Sequence, residues 1–212
     1  MFNLRYPNLL FLALPLPECC LRESFETFRN FLGNSFLSTS YRGPRVSHLT
    51  IGMIPVNSEE DVLRSINHLK NNTDNFQKAY GDELQTIDLQ GTSYFGKSPD
   101  EARVLYAVPQ EQHGRVNVQK FCEYLRKSFE DAGIFIKDNR PLTLHCTLLN
   151  ARYMKRGKKR LKHFDAKPVL EKFVNYSWAQ NMSLSKLCIM KTGAVGPPGD
   201  MYYEEIDSIS LH

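Results

Sequence analysis

Long apolar runs and metal-binding cysteine patterns are both missing from this sequence. No apolar stretch reaches the ~20 residues that a membrane-spanning helix needs. The five cysteines are scattered and odd in number, and they form no CxxC pair and no zinc-like spacing with histidine. These patterns argue against a membrane span, a zinc module and a disulfide framework. Reduced cysteines favour a protein inside the cell.

A strong net charge is also missing. The formal net charge is +4, which permits a polyanionic partner without demanding one. Hydrophobic residues make up 42% of the chain and charged residues 24%, which is typical of a globular protein rather than a disordered chain or a coiled coil. The 212 residues suit one domain or two small lobes and are enough to bury a core.

The N-terminal apolar stretch, residues 8–16 (NLLFLALPL), permits two interpretations. Arg5 precedes it, as in the core of a signal peptide. However, Pro15 and Pro17 interrupt the stretch, and the Pro-Glu-Cys-Cys that follows is a poor cleavage site for a signal peptidase. We therefore favour a buried first strand over a signal peptide.

The periodicity of apolar residues predicts alternating strands and helices. Gly33 ends the first helix, residues 58–61 (SEED) come close to a capping box, and Asn117 can cap a third helix. We predict strands at residues 8–16, 47–54, 84–94, 104–108, 142–150, 184–190 and 202–211, and helices at residues 21–32, from 58 onward, 117–129 and 165–174. The third and fourth strands form a hairpin.

This order of elements defines the predicted architecture. The sequence falls into two halves, each with several strands and about two helices. We therefore predict an α+β fold: a pseudo-duplicated domain with two antiparallel sheets that face a central cleft, and with helices outside. One domain spans residues 1–212.

Two short motifs carry the chemistry. His48 and Thr50 lie two residues apart in a predicted strand, so their side chains project from the same face. His145 and Thr147 repeat this arrangement in a strand of the second half, and Cys146 between them faces the core. Either histidine alone is most simply a hydrogen-bonded residue of a half-buried strand. A pair of matching motifs, one in each half, favours a shared site.

Two imidazoles and two hydroxyls suit the cleavage of a phosphodiester. If the strands face each other, one histidine can accept a proton from the attacking group and the other can donate one to the leaving oxygen. The threonine hydroxyls can hydrogen-bond the non-bridging oxygens. We predict His48 and His145 as catalytic residues and Thr50 and Thr147 as phosphate-binding residues. No magnesium-type carboxylate cluster accompanies them, so we expect no metal and no cofactor.

The motifs and their flanking residues resemble the two-histidine (ligT-like) phosphoesterase superfamily. More narrowly, they resemble the phosphoesterase domain found in activating signal cointegrator 1 complex subunit 1 and the related A-kinase anchoring protein 7-like domain. The matching segments are residues 48–54 (HLTIGMI), 58–61 (SEED), 144–150 (LHCTLLN), 164–173 (FDAKPVLEKF) and 184–189. The resemblance covers nearly the whole chain.

The resemblance implies a bilobal fold with both motifs in the central cleft. It implies a metal-independent phosphoesterase of RNA ends or short oligonucleotides, acting on 2′,3′-cyclic phosphates, 2′,5′ linkages or 3′-terminal phosphodiesters. The alternative is a nucleotide- or RNA-end-binding subunit, without catalysis, of a transcription or repair complex. We expect a monomer in the nucleus, the cytoplasm or both. We expect no RNA-binding KH module, so RNA should bind in the cleft and at its rim.

Several residues are candidates for that rim. Tyr94 and Phe95 end a strand and could stack on a base, or simply pack in the core, and Tyr153 is a weaker candidate. Residues 155–162 hold six lysines or arginines in eight positions. This basic run is a solvated loop, a nuclear-import signal or a patch that binds RNA phosphates. The candidate residues for phosphate contacts at the rim are Lys155, Arg156 and Lys158.

Overall fold

The computed structural model describes residues 9–111, 117–156, 159–197 and 200–212. The strands, in chain order, are β1 (Leu9–Pro15), β2 (His48–Pro55), β3 (Thr86–Gly96), β4 (Ala102–Glu111), β5 (Cys146–Asn150), β6 (Lys155–Arg156), β7 (Lys159–Arg160), β8 (Ser177–Ser183), β9 (Lys186–Lys191) and β10 (Glu205–Ser210). The helices are α1 (Arg22–Leu32), α2 (Glu59–Asn71), α3 (Thr73–Tyr80), α4 (Val118–Asp131) and α5 (Lys167–Phe173). In the described part of the chain, no helix has both the length and the apolar character needed to cross a membrane.

Two four-stranded antiparallel sheets form the fold. The strand order is β10-β9-β1-β2 in the first sheet and β5-β4-β3-β8 in the second. The two His-x-Thr motifs belong to β2 and to the start of β5, and each of these strands is the edge of its sheet. The two edges contact each other. This arrangement confirms the predicted α+β class with two antiparallel sheets around a cleft.

The sheets are not the two halves of the sequence. Strands β9 and β10, from the end of the chain, return to pair beside β1 in the first sheet. Helix α1 packs against β8 of the second sheet, while α4 packs against β2 of the first. Local periodicity does not report this exchange, because the partners of a strand are set by pairing between distant parts of the chain.

Strand β1 is buried on both of its faces. Leu10, Leu12 and Leu14 belong to the main core, while Phe11 and Ala13 belong to a smaller apolar cluster on the opposite face. A central strand covered on both sides has a continuous apolar sequence rather than an alternating one. The prediction of a buried first strand is confirmed.

The predicted helix boundaries rest on polar caps that the structure contains. Ser58 Oγ accepts a hydrogen bond from the Asp61 backbone N–H, and the Asp61 side chain accepts one from the Ser58 N–H. Asn117 Oδ1 accepts from the Lys120 N–H at 2.7 Å. Gly33 ends α1 with a φ of 50°, which favours glycine.

Helix α3, strand β8 and the start of β5 differ from the prediction. Helix α3 was missed because its only buried side chains, Phe76 and Tyr80, are too few to give a periodic signal. Strand β8 was missed because polar residues and the positive φ of Asn181 interrupt its pattern. Strand β5 begins at Cys146, where pairing with β4 begins, so His145 precedes the strand instead of lying inside it.

The basic run adopts strand structure over four of its residues. Strands β6 and β7 pair with each other as a short antiparallel ribbon. The side chains of Lys155 and Arg156, and the whole of Lys158, lie outside the described residues, so their predicted phosphate contacts stay predictions.

Gly52 allows the first motif strand to pack closely against the segment after α4. A Cβ at this position would overlap the ring of Phe135. That ring also stacks on Phe129, with centroids 4.9 Å apart. Glycine at this point of β2 is therefore a packing requirement, since the aromatic ring occupies the space that a side chain would need.

We expect Gly52→Ala to lower the free energy of unfolding by about 1–3 kcal/mol, because overpacking forces the ring or the strand to move. Urea denaturation measures this change. In a Phe135→Ala background the same substitution should cost less, since the overlapping ring is gone. An equal cost in both backgrounds would show that Phe135 is not the reason for glycine here.

Candidate active site

One cavity of about 480 Å³ lies where the edges of the two sheets meet. It is lined by all four motif residues, which come from opposite sheets: His48, Thr50, His145 and Thr147. The structure thus brings together side chains that are far apart in the sequence. Their roles in catalysis and in phosphate binding stay predictions.

The two histidines are held in the same way. The Nδ1 atom of His48 lies 2.8 Å from the carbonyl oxygen of Val46, and that of His145 lies 2.8 Å from the carbonyl oxygen of Thr143. A carbonyl oxygen only accepts hydrogen bonds, so Nδ1 carries the proton in both rings. In each neutral imidazole, Nε2 is therefore the basic nitrogen.

The backbone explains why the two arrangements match. His48 is the first residue of β2, and His145 immediately precedes β5. In both cases the carbonyl belongs to the residue two positions earlier, which lies before the paired part of the strand. Each ring can therefore bond back to the incoming chain without competing with the sheet.

Aromatic rings fix the orientation of both imidazoles. Each is flanked by two rings, with centroids 4.9–5.4 Å away: Phe11 and Tyr203 beside His48, and Phe95 and Tyr106 beside His145. Two rings and one backbone hydrogen bond leave an imidazole little freedom to rotate. The site is thus organised before any ligand binds.

The surroundings keep both histidines neutral at neutral pH. The pKa of His48 is lowered from its ordinary value of 6.5 to about 4, chiefly by burial; the hydrogen bond to the Val46 carbonyl opposes this effect, and His145 and Arg42 add smaller lowering effects. Burial also lowers the pKa of His145, opposed by the hydrogen bond to Thr143. The free cleft therefore offers two proton acceptors, and a bound anion would favour protonation of either ring.

The threonines are placed to bind an anion. Both side chains are half-buried and line the cavity. Within the described part of the chain, neither the Thr50 nor the Thr147 hydroxyl forms a hydrogen bond. Both hydroxyls can therefore donate to the oxygens of a phosphoryl group.

The cavity also contains cationic side chains that lie outside the two His-x-Thr motifs. Arg42, Arg152 and Arg160 line it, and no acidic side chain among the described residues does. Arg160 belongs to the basic run, so the run reaches the cavity through β7. Arg42 and Tyr203 gave no signal in the sequence, because neither belongs to a recognisable motif, although Arg42 lies only six residues before His48.

The aromatic residues proposed for the rim have different positions. Tyr153 lines the cavity. Phe95 packs against His145 and Tyr106 instead of being among the lining residues. Tyr94 is half-buried against the main core, away from the lining residues. Core packing therefore accounts for Tyr94, and support of His145 accounts for Phe95.

Among the described residues, no cysteine and no acidic side chain lines this cavity. Cys146 is fully buried, as predicted, and burial raises the pKa of its thiol to about 12. Over the residues that the structure describes, no three His, Cys, Asp or Glu side chains cluster closely enough to hold a metal ion.

The fold and the paired motifs are those of the two-histidine phosphoesterase superfamily. The sequence profile of the AKAP7 2′5′ RNA ligase-like domain matches residues 10–211, and the chain belongs to this family.

Individual relatives agree with this assignment. The chain is 52% identical over 208 residues to the uncharacterized protein C15D4.13c of Schizosaccharomyces pombe, and the match covers 98% of both chains. It is 25% identical over 198 residues to activating signal cointegrator 1 complex subunit 1 of Mus musculus, which covers 82% of this chain and only 56% of the mouse protein. The crystal structure of E. coli LigT complexed with 3′-AMP has the same fold, with a TM-score of 0.58, 18% identity and coverage of 97% and 98%.

The lowered pKa of His48 predicts an acid-sensitive fold. Between pH 6.5 and about 4, the unfolded chain protonates His48 while the folded chain does not, so this residue lowers the free energy of unfolding as the pH falls through that window. We expect His48→Gln, which does not titrate, to lose less stability than the parent protein between pH 7 and pH 4. Urea denaturation in phosphate-free buffers measures the difference. Parallel curves for the two proteins would contradict it.

Proposed function

We propose that this protein is a metal-independent phosphoesterase that acts on RNA ends or short oligonucleotides. The bond cleaved is a 2′,3′-cyclic phosphate, a 2′,5′ linkage or a 3′-terminal phosphodiester. The observation that carries the proposal is the pair of imidazoles with matching tautomers, from opposite sheets, that line one cavity together with two threonine hydroxyls.

The mechanism divides proton transfer between the histidines. The Nε2 of one neutral imidazole accepts the proton of the attacking hydroxyl or water as the new P–O bond forms. The other imidazole, protonated, donates its proton to the leaving oxygen as the old P–O bond breaks. The anionic substrate itself favours protonation of this second imidazole, because its negative charge raises the imidazole pKa and so opposes the effect of burial. Threonine hydroxyls stabilise the charge on the phosphoryl oxygens, and the cavity arginines attract the anionic substrate.

Nucleotide ligands of LigT support a nucleotide in this cleft. Structures of the E. coli protein are complexed with 3′-AMP, ATP, NADP+ and phosphate. These ligands share a phosphoryl group. A positively charged cavity with two threonine hydroxyls suits the same chemistry.

A second candidate function is the binding of a nucleotide or RNA end without turnover. One observation favours it: both histidines are neutral in the free cleft, so neither is ready to act as an acid. Similarity to a subunit of the mouse cointegrator complex suits a binding role inside a transcription or repair complex in the nucleus.

An assay with excess chelator tests the first function. We expect turnover of at least one member of a panel of 2′,3′-cyclic nucleotides, 2′,5′-linked oligoadenylate and RNA 3′ ends. His48→Ala and His145→Ala should each lower kcat by about 10²–10⁴-fold, because each removes a positioned proton-transfer group. His163→Ala is the matched control, since His163 is exposed and does not line the cavity.

The outcomes separate the two functions. Full activity of either motif variant, or activity that the chelator removes, would contradict the proposed mechanism. Calorimetric binding of 3′-AMP without turnover of any substrate, weakened by Thr50→Ala, would instead support the binding function.

A further inference from the structure

Arg42 is a buried cation that has no counter-charge among the described residues. Only 6% of the residue is exposed, yet its guanidinium has no carboxylate partner among the described side chains. Burial of an unpaired charge is costly, so buried arginines are usually paired with acids. The side chain lines the same cavity as the two histidines. We therefore expect an anion in the cavity to pair with the guanidinium.

The backbone of Arg42 is tied to the second motif strand. Its N–H donates to the carbonyl oxygen of Leu148 at 2.9 Å, and Tyr41 forms a β-bridge with Leu149. The loop after α1 thus adds to the edge of β5, immediately beyond Thr147. This attachment fixes where the arginine side chain enters the cavity.

Two tyrosines hold the guanidinium in place. The Cζ atom of Arg42 lies 4.5 Å from the ring centroid of Tyr153 and 5.8 Å from that of Tyr203. Nη2 donates a hydrogen bond to the Tyr203 hydroxyl at 3.1 Å. A guanidinium has five N–H donors, and this is its one side-chain bond to the described residues. The remaining donors are available to an anion in the cavity.

The position of Arg42 relative to His48 points to a separate anion. Tyr203 contacts both residues: its ring packs at 5.3 Å from the His48 ring, and its hydroxyl accepts from Arg42. The guanidinium and the imidazole are therefore both neighbours of Tyr203. An anion bound by the remaining donors of Arg42 would lie beside one bound at the histidines, as do two phosphates joined through a ribose.

We propose that Arg42, with Tyr153 and Tyr203, forms a second phosphate subsite beside the two-histidine site. Its ligand is the phosphate next to the one bound by the motif residues. Short oligonucleotides and nucleoside bisphosphates then bind better than mononucleotides. The proposal rests on the proposed function in one respect, that the histidines and threonines hold the first phosphate.

Calorimetry with two adenosine nucleotides tests this subsite. In the parent protein, adenosine 3′,5′-bisphosphate should bind roughly 10- to 100-fold more tightly than 3′-AMP or 5′-AMP, the range expected for a hydrogen-bonded charge pair. In Arg42→Gln this affinity ratio should fall to about one. Arg42→Lys, which retains the charge and loses the planar fork, should give an intermediate ratio and serves if the glutamine variant does not fold.

Arg22→Gln is the matched control. It removes the same charge from an exposed site on α1, where Arg22 pairs with Glu18, and should keep the parent ratio. An affinity ratio near one in the parent protein would contradict the proposed subsite, and so would an unchanged ratio in Arg42→Gln. Failure of all three nucleotides to bind would contradict the subsite, whereas the catalytic function would still be decided by turnover in the assay with chelator. If the affinity ratio depends on Arg42 but no phosphodiester is turned over, the subsite is supported and only the catalytic function is contradicted.

Discussion

The hydrogen bond from each histidine Nδ1 to the carbonyl two residues earlier is the constraint on which the rest of the site depends. It fixes the tautomer of both rings and leaves both Nε2 atoms basic. Both motifs lie at the beginning of an edge strand, β2 or β5, so the carbonyl two residues earlier precedes the paired part of the sheet. The sheets and helices serve to bring these two edges together around one cavity.

The electrostatics of the cleft suit an anion that arrives from solution. Burial keeps both histidines neutral, so the only formal charges among the described lining residues are those of three arginines. A bound phosphate compensates the positive charges of the arginines and also favours protonation of a histidine. The protein thereby couples the binding of its ligand to the uptake of the proton that the proposed reaction needs.

The sequence predicted the elements with strong local patterns and missed those defined by distant contacts. The repeated His-x-Thr motif predicted the pairing of four side chains, and the polar caps at Ser58 and Asn117 predicted helix starts. Periodicity did not reveal β8, whose polar residues hide a buried Trp178. It also did not reveal Arg42 or Tyr203, since neither carries a motif and both reach the cavity only after the sheets assemble.

The most direct test of the account is a double-mutant cycle between His48 and His145, measured as kcat/KM on the best substrate of the panel. If both imidazoles act on one phosphodiester, the double alanine variant should be no slower than the slower single variant, because either loss alone removes the concerted proton transfer. Losses that multiply in the double variant would show that the two histidines act independently and would contradict the shared site.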